Sequence, residues 1–256
     1  MDDVLAVPAF RDNYIWLAQG SEPKEVAIID PGDAGPVIAA LEKYALHPVV
    51  ILCTHHHGDH SGGVGILAAR YHIPAYGPET EHIAGITHAV GDGDALATPV
   101  GRYRVLAVPG HTRGHVAYFD DQRLFCGDTL FSAGCGRLFE GTAYQLHASL
   151  MRLAALPAAT RVYCGHEYTL ANLRFARAVE PDNADILAAE RRARRLTGIG
   201  QPTLPSTIGE ERRINPFLRC DTPAVRNSAL RVSRQSDADA AAVFATLRRW
   251  KDDFKG

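Results

Sequence analysis

The chain has 256 residues, 46% apolar and 22% charged, with a formal net charge of −2, the ordinary composition of a soluble globular protein. No apolar stretch approaches the length a bilayer requires. The acidic start Met1-Asp2-Asp3-Val4 lacks the basic flank and apolar run of a signal peptide, so a cytoplasmic protein is expected.

In chain order, Val26–Ile29 reads as a strand ended by the turn Asp30-Pro31-Gly32. Val37, Ile38, Leu41 and Ala45 follow at helical spacing. Val49–Cys53 is a continuous apolar run, as in a strand buried on both faces. Further strands are expected at Tyr103–Val108, His115–Phe119, Arg123–Cys126 and Arg161–Cys164. Gly91–Asp94 reads as a turn, and Gln145–Leu156 as a helix stopped by Pro157. After Glu167 the β-branched runs vanish, alanine and arginine dominate, and helical patterns appear over 169–180, 184–196 and 237–251. Pro202, Pro205 and Pro216 predict an extended loop between them. The expected organisation is an α/β domain over 1–167 and a helical domain over 168–256.

Charge divides the same way. Residues 1–166 carry 11 Lys+Arg against 17 Asp+Glu and all 12 histidines, whereas residues 167–256 carry 16 against 12. The first segment is equipped for metal chemistry and the second for holding an anion. The five cysteines form no CxxC pair and are odd in number, which argues against a disulfide framework. Cys53, Cys126 and Cys164 each close an apolar run, and the core reading is preferred over thiolate ligation.

The sharpest local feature is Thr54-His55-His56-His57-Gly58-Asp59-His60 at the end of a buried strand. In an extended segment His55 and His57 project to one side and His56 to the other. Asp59 and His60 follow as the chain turns into a helix. One cluster cannot fill two coordination spheres, and three further groups stand at strand ends beside glycine: His111, Asp128 and His166. Five imidazoles and two carboxylates suffice for two ions sharing a carboxylate. Asp30, at an earlier strand end, is a candidate to orient the histidine loop. His72, His82, His88, His115 and His147 lack that context and read as surface or core groups.

The chain resembles the metallo-β-lactamase superfamily, and within it glyoxalase II, the hydroxyacylglutathione hydrolases. The HxHxDH element carries the likeness together with Asp12-Asn13-Tyr14, Gly127–Phe131, Gly134–Arg137, Glu140–Thr142, Cys164–Thr169, Asn215-Pro216-Phe217 and Arg248–Asp252. The resemblance implies a four-layer αβ/βα sandwich with a helical C-terminal domain that recognises glutathione. It implies that His55, His57 and His111 hold one metal, that Asp59, His60 and His166 hold the other, and that Asp128 bridges them. Arg248 and Lys251 are implied to bind the glycine carboxylate of glutathione, with Tyr168 and Arg137 lining the same pocket. The implied reaction is hydrolysis of S-D-lactoylglutathione to glutathione and D-lactate, the second step of methylglyoxal detoxification. Asp59 and Asp128 would position the metals and a bridging hydroxide. Zinc is the expected metal, with iron or manganese compatible, and a monomer without nucleic-acid or membrane partners is expected. Eukaryotic members carry lysine at the position of Arg137 and tyrosine at that of Phe139, so this pocket has a different cation geometry and one hydroxyl fewer. A persulfide dioxygenase or a lactonase of the same superfamily is the alternative, since a similar loop serves both.

Overall fold

The computed structural model describes residues 3–20, 22, 24–234 and 237–255; Met1 and Asp2 of the acidic start lie outside them. Chain order begins β1 (Val4–Ala9), β2 (Asn13–Gln19), β3 (Glu25–Ile29), α1 (Ala34–Tyr44), β4 (His47–Leu52), α2 (Gly58–Ser61), α3 (Val64–Tyr71), β5 (Ala75–Pro78) and β6 (His88–Val90). It continues β7 (Ala95–Thr98), β8 (Gly101–Ala107), β9 (Val116–Phe119), β10 (Arg123–Gly127), β11 (Leu130–Phe131), β12 (Gly134–Cys135), α4 (Ala143–Ala154) and β13 (Arg161–Cys164). The remainder is α5 (Thr169–Val179), α6 (Ala184–Gly198), β14 (Ser206–Thr207), α7 (Ile208–Ile214), a 3₁₀ turn Pro216–Leu218, α8 (Pro223–Ser233) and α9 (Ala240–Asp253).

The chain forms two compact units, 1–107 with 114–127 and 163–167, and 108–113 with 128–162 and 168–256. In the first, β1 to β6 make a sheet in chain order. The β1–β2–β3 part is antiparallel and the β3–β4–β5–β6 part parallel. A parallel pair needs a crossover, and α1 supplies it between β3 and β4. Asp33 caps that helix by accepting from Gly35 N at 2.9 Å. Val37 and Leu41 on α1 pack with Val26, Ile28 and Ile51 in one hydrophobic cluster. The second sheet is antiparallel through β7, β8, β9 and β10, and Tyr163 stacks on Phe125 at 5.1 Å.

The second unit is mainly helical. Leu173, Ala176, Ile186, Ala189, Ala193 and Ile214 form an apolar cluster with Ala133 of the β11–β12 hairpin. Phe217 stacks with Phe175 at 5.8 Å and meets Phe244 edge-on at 5.6 Å, tying α5 to α9.

The expected strands and helices are present with small shifts in their ends. The loop expected around Pro202–Pro216 instead contains α7, and α8 was not foreseen. The prolines do not forbid helical structure here: Pro216 opens the 3₁₀ turn that follows α7 and Pro223 opens α8, first-turn positions where the missing N–H costs nothing. The β1–β2 hairpin, which lacks a conspicuous turn pair, was also missed.

Glu211 on α7 is fully buried. Its Oε2 accepts from Ala133 N at 2.8 Å and from Asn215 Nδ2 at 3.0 Å. Asn215 Nδ2 also reaches Phe131 O and Gly134 O, so this pair holds the β11–β12 hairpin. Burial pushes the Glu211 carboxyl up to about 7. A raised carboxyl favours folding below its unfolded value, and that contribution is lost as pH rises through about 7. Glu211 is therefore expected to withdraw on the order of 3 kcal/mol of stability as pH rises from about 4.5 to about 7. Glu211→Gln, which mimics the protonated form, should flatten that part of the melting-temperature profile; an unaltered profile would remove Glu211 as its source.

Candidate functional site

In the first unit the parallel strands β3 and β4 end side by side, and Asp30 N donates to Leu52 O at 3.0 Å. Asp30, buried and at φ 50°, turns its carboxylate under the next loop. It accepts from Thr54 N at 2.7 Å and Thr54 Oγ1 at 2.8 Å, and lies 3.1 Å from His60 Nδ1. A carboxylate only accepts, so the His60 proton sits on Nδ1 and the lone pair on Nε2. Thr54 Oγ1, its hydrogen given to Asp30, accepts in turn from His55 Nδ1 at 3.0 Å. His166, just past β13, is fixed the same way by Asp12 Oδ1 at 2.8 Å from its Nδ1.

The consequence is a convergence of lone pairs. His60 Nε2 and His166 Nε2 face each other at 3.3 Å, and Asp59 Oδ2 lies 3.7 and 3.5 Å from them. Asn13 Nδ2 holds that carboxylate oxygen at 3.0 Å. Three electron-rich atoms aimed at one point repel unless a cation joins them, and the set suits a divalent metal. Close packing makes it possible: a Cβ at Gly32 would stand 1.9 Å from Asp59 O. His57 sits at the start of α2 with its ring 4.7 Å from that of His55. His56 turns the other way, 3.0 Å from Glu81 Oε2. His115 is buried and stacks on His55 at 4.5 Å, donating to Val116 O.

In the second unit, His111 Nδ1 gives its proton to Arg137 O at 2.8 Å, leaving Nε2 3.5 Å from Asp128 Oδ2. A Cβ at Gly136 would meet Asp128 O at 2.0 Å and His111 Nδ1 at 3.0 Å, so only glycine fits there. His111 and Asp128 line a cavity of about 500 Å³ together with Phe131, Arg137, Phe139, Tyr168, Arg248 and Lys251. Arg248 is only 4% exposed. Its Nη1 donates to Cys135 O at 2.9 Å and Nη2 to Asp252 Oδ1 at 2.9 Å. Lys251 Nζ donates to Ala171 O at 3.1 Å. Burial, reinforced by Arg248, Arg174 and Arg137, lowers its ammonium to about 8. Tyr168 meets Phe131 edge-on at 5.2 Å, and Arg137 and Phe139 are largely exposed.

Sequence reasoning missed the acceptors Asp12, Thr54 and Glu81 and the clamp Asn13. Asp12 and Asn13 stand within a recognised motif, but their partners lie 154 and 46 positions away, a separation that carries no local signal.

Residues 9–166 match the family model of the metallo-beta-lactamase superfamily, and residues 167–254 match that of the hydroxyacylglutathione hydrolase C-terminus. A hydroxyacylglutathione hydrolase of Nitrosomonas europaea is 49% identical, covering 100% of this chain and 98% of its own. One of Alkalilimnicola ehrlichii is 54% identical over 98% and 99%. The chain belongs to the hydroxyacylglutathione hydrolase family. Among solved structures it is similar to ETHE1 from Myxococcus xanthus, 25% identical over 95% of this chain and 98% of that one, with a TM-score of 0.64. It is also similar to TTHA1623 in a di-iron-bound form, 28% identical over 84% and 100%, at 0.60. The fold is therefore that of the metallo-β-lactamases, with mixed α/β sheets and a helical C-terminal region. The protein is an enzyme of hydroxyacylglutathione hydrolase type, a hydrolase whose His/Asp clusters suit divalent metal ions.

Membership in that family makes Asp30 informative, because its role is upstream of metal affinity. Asp30→Ala should weaken metal binding about 10- to 100-fold, as the loss of an imidazole-orienting carboxylate does elsewhere. Competition with a chelator measures it, and a variant that retains parental affinity would reject the assigned role.

Proposed function

We propose that the chain hydrolyses S-(2-hydroxyacyl)glutathione thioesters, S-D-lactoylglutathione foremost, to glutathione and a 2-hydroxy acid such as D-lactate. One observation carries this reading: in the second unit a single cavity is lined both by the metal-type donors His111 and Asp128 and by the cations Arg137, Arg248 and Lys251. A thioester whose leaving group ends in carboxylates matches that pairing of chemistry and charge. The full-length likeness to hydroxyacylglutathione hydrolases supports it.

The ligand sets of the reading are His55, His57 and His111 for one ion and Asp59, His60 and His166 for another, with Asp128 shared. Imidazole and carboxylate donors favour zinc, and iron and manganese accept the same set. Bound divalent metals supply an activated water at neutral pH and Lewis-acid polarisation of the thioester carbonyl. The protein's own residues prepare that chemistry. Asp30, Asp12 and the carbonyl of Arg137 hold protons on the distal ring nitrogens. Asn13 aims Asp59. Lys251 and Arg248 hold the glycine carboxylate of glutathione, Tyr168 and Arg137 flank it, and the departing thiolate needs no strong acid. On this reading residues 1–167 do the chemistry and 168–256 recognise glutathione. It extends to a monomer and to a cytoplasmic location, the latter supported by five buried cysteines outside any disulfide. Among the described residues no helix is long and apolar enough to cross a membrane.

Purified protein should cleave S-D-lactoylglutathione, followed by loss of thioester absorbance, and chelation should abolish the activity. Elemental analysis should approach two metal equivalents. His57→Ala should lose metal and activity together, whereas His56→Ala, whose ring serves Glu81, should retain most of both; equal losses would reject the ligand assignment.

Lys251 makes the substrate affinity depend on pH. Its ammonium is charged below about 8 and neutral above, so KM should rise between pH 7 and 9 while kcat follows a different course. Lys251→Ala should raise KM at pH 7 by about 10- to 100-fold, the loss of one charge-assisted contact, and make KM insensitive to pH in that range. A parental pH dependence in the variant would move the titration elsewhere.

A further inference from the structure

Helix α9 carries a carboxylate into its own anion pocket. Asp252 lies one turn beyond Arg248 and shares the cavity with Arg137, Arg248 and Lys251. Its Oδ1 accepts from Arg248 Nη2 at 2.9 Å and stands 3.6 Å from Arg137 Nε. The plain alternative is that Asp252 merely holds Arg248 in place. Arg248 has other anchors, however: Nη1 donates to Cys135 O at 2.9 Å and reaches Gly136 O at 3.4 Å. Its guanidinium also lies over the Phe217 ring at 5.3 Å. These contacts fix the side chain whether or not Asp252 is charged. Asp252 itself is 42% exposed at the end of the helix, free to turn aside. Arg248 Nε is buried without a hydrogen-bond partner among the described residues.

We propose that Asp252 is a resident carboxylate that competes with the substrate's carboxylate for Arg248 and Arg137 and so sets the pocket's affinity for carboxylates. It neutralises part of the cationic pocket when no ligand is present, lowers the affinity for every anion, and so speeds release of free glutathione. The inference rests on the glutathione-thioester reading above.

Asp252→Asn keeps the shape and an acceptor oxygen while removing the charge. It should lower KM for S-D-lactoylglutathione about two- to fivefold, the scale of a partly exposed ion pair. The dissociation constant for free glutathione, measured by calorimetry, should fall by the same factor. Asp252→Glu, which keeps the charge, should stay near the parent. A thioester of glutathione with both carboxylates amidated should gain nothing. An Asn variant that melts like the parent but shows an unchanged or higher KM would overturn the proposal, as would an equal gain on the amidated thioester. A parent that neither binds glutathione nor cleaves its thioester would instead overturn the proposed function, and this inference with it.

Discussion

The arrangement of the first unit's donors depends on one buried carboxylate. Asp30 is out of water, where an isolated charge is prohibitive, and it remains there because three donors surround it. Those three are a backbone amide, a hydroxyl and an imidazole, all from the loop that follows β4 and the helix it enters. One interaction therefore fixes the path of the loop, the hydroxyl direction of Thr54 and the tautomer of His60. Through Thr54 it also fixes the tautomer of His55. A histidine loop without this support would sample ring flips, and each flip would turn an N–H toward the cation site.

The second unit solves a related problem with the opposite sign. Arg248 is a buried cation whose neighbours are carbonyl oxygens, a carboxylate and an aromatic face. It fastens α9 to the β11–β12 hairpin, which Glu211 and Asn215 fasten to α7. The stretch that carries Asp128 and Arg137 is thus gripped by two separate helices. Precision in this unit comes from polar groups that are expensive to leave unmatched, and the apolar clusters supply the bulk of the packing.

Much of the fold was legible along the chain. The run Val49–Cys53 read as a buried strand, and the three-to-four spacing after Asp30 as the helix leading to it, and both are present as β4 and α1. Where prolines and short strands crowd together the reading failed. At Pro216 and Pro223 the ring occupies a first-turn position, so the residue that signals a break also begins a helical turn. Strands as short as Ser206–Thr207 carry no periodicity at all.

At the site, sequence alone offered the metal-type donors as candidates, because imidazoles and carboxylates at strand ends beside glycine are an unusual choice for a solvated loop. Alternation in an extended segment also separated His56 from His55 and His57. Tertiary structure alone decided which nitrogen of His60, His166 and His111 faces inward. Asp30, Asp12 and the Arg137 carbonyl make that choice from 30, 154 and 26 positions away. The same holds for Asp252, whose place four residues after Arg248 reads as an ordinary helical ion pair. Only the folded cavity also brings Arg137 within 3.6 Å of it, because a charge acquires its partners from what surrounds it in space.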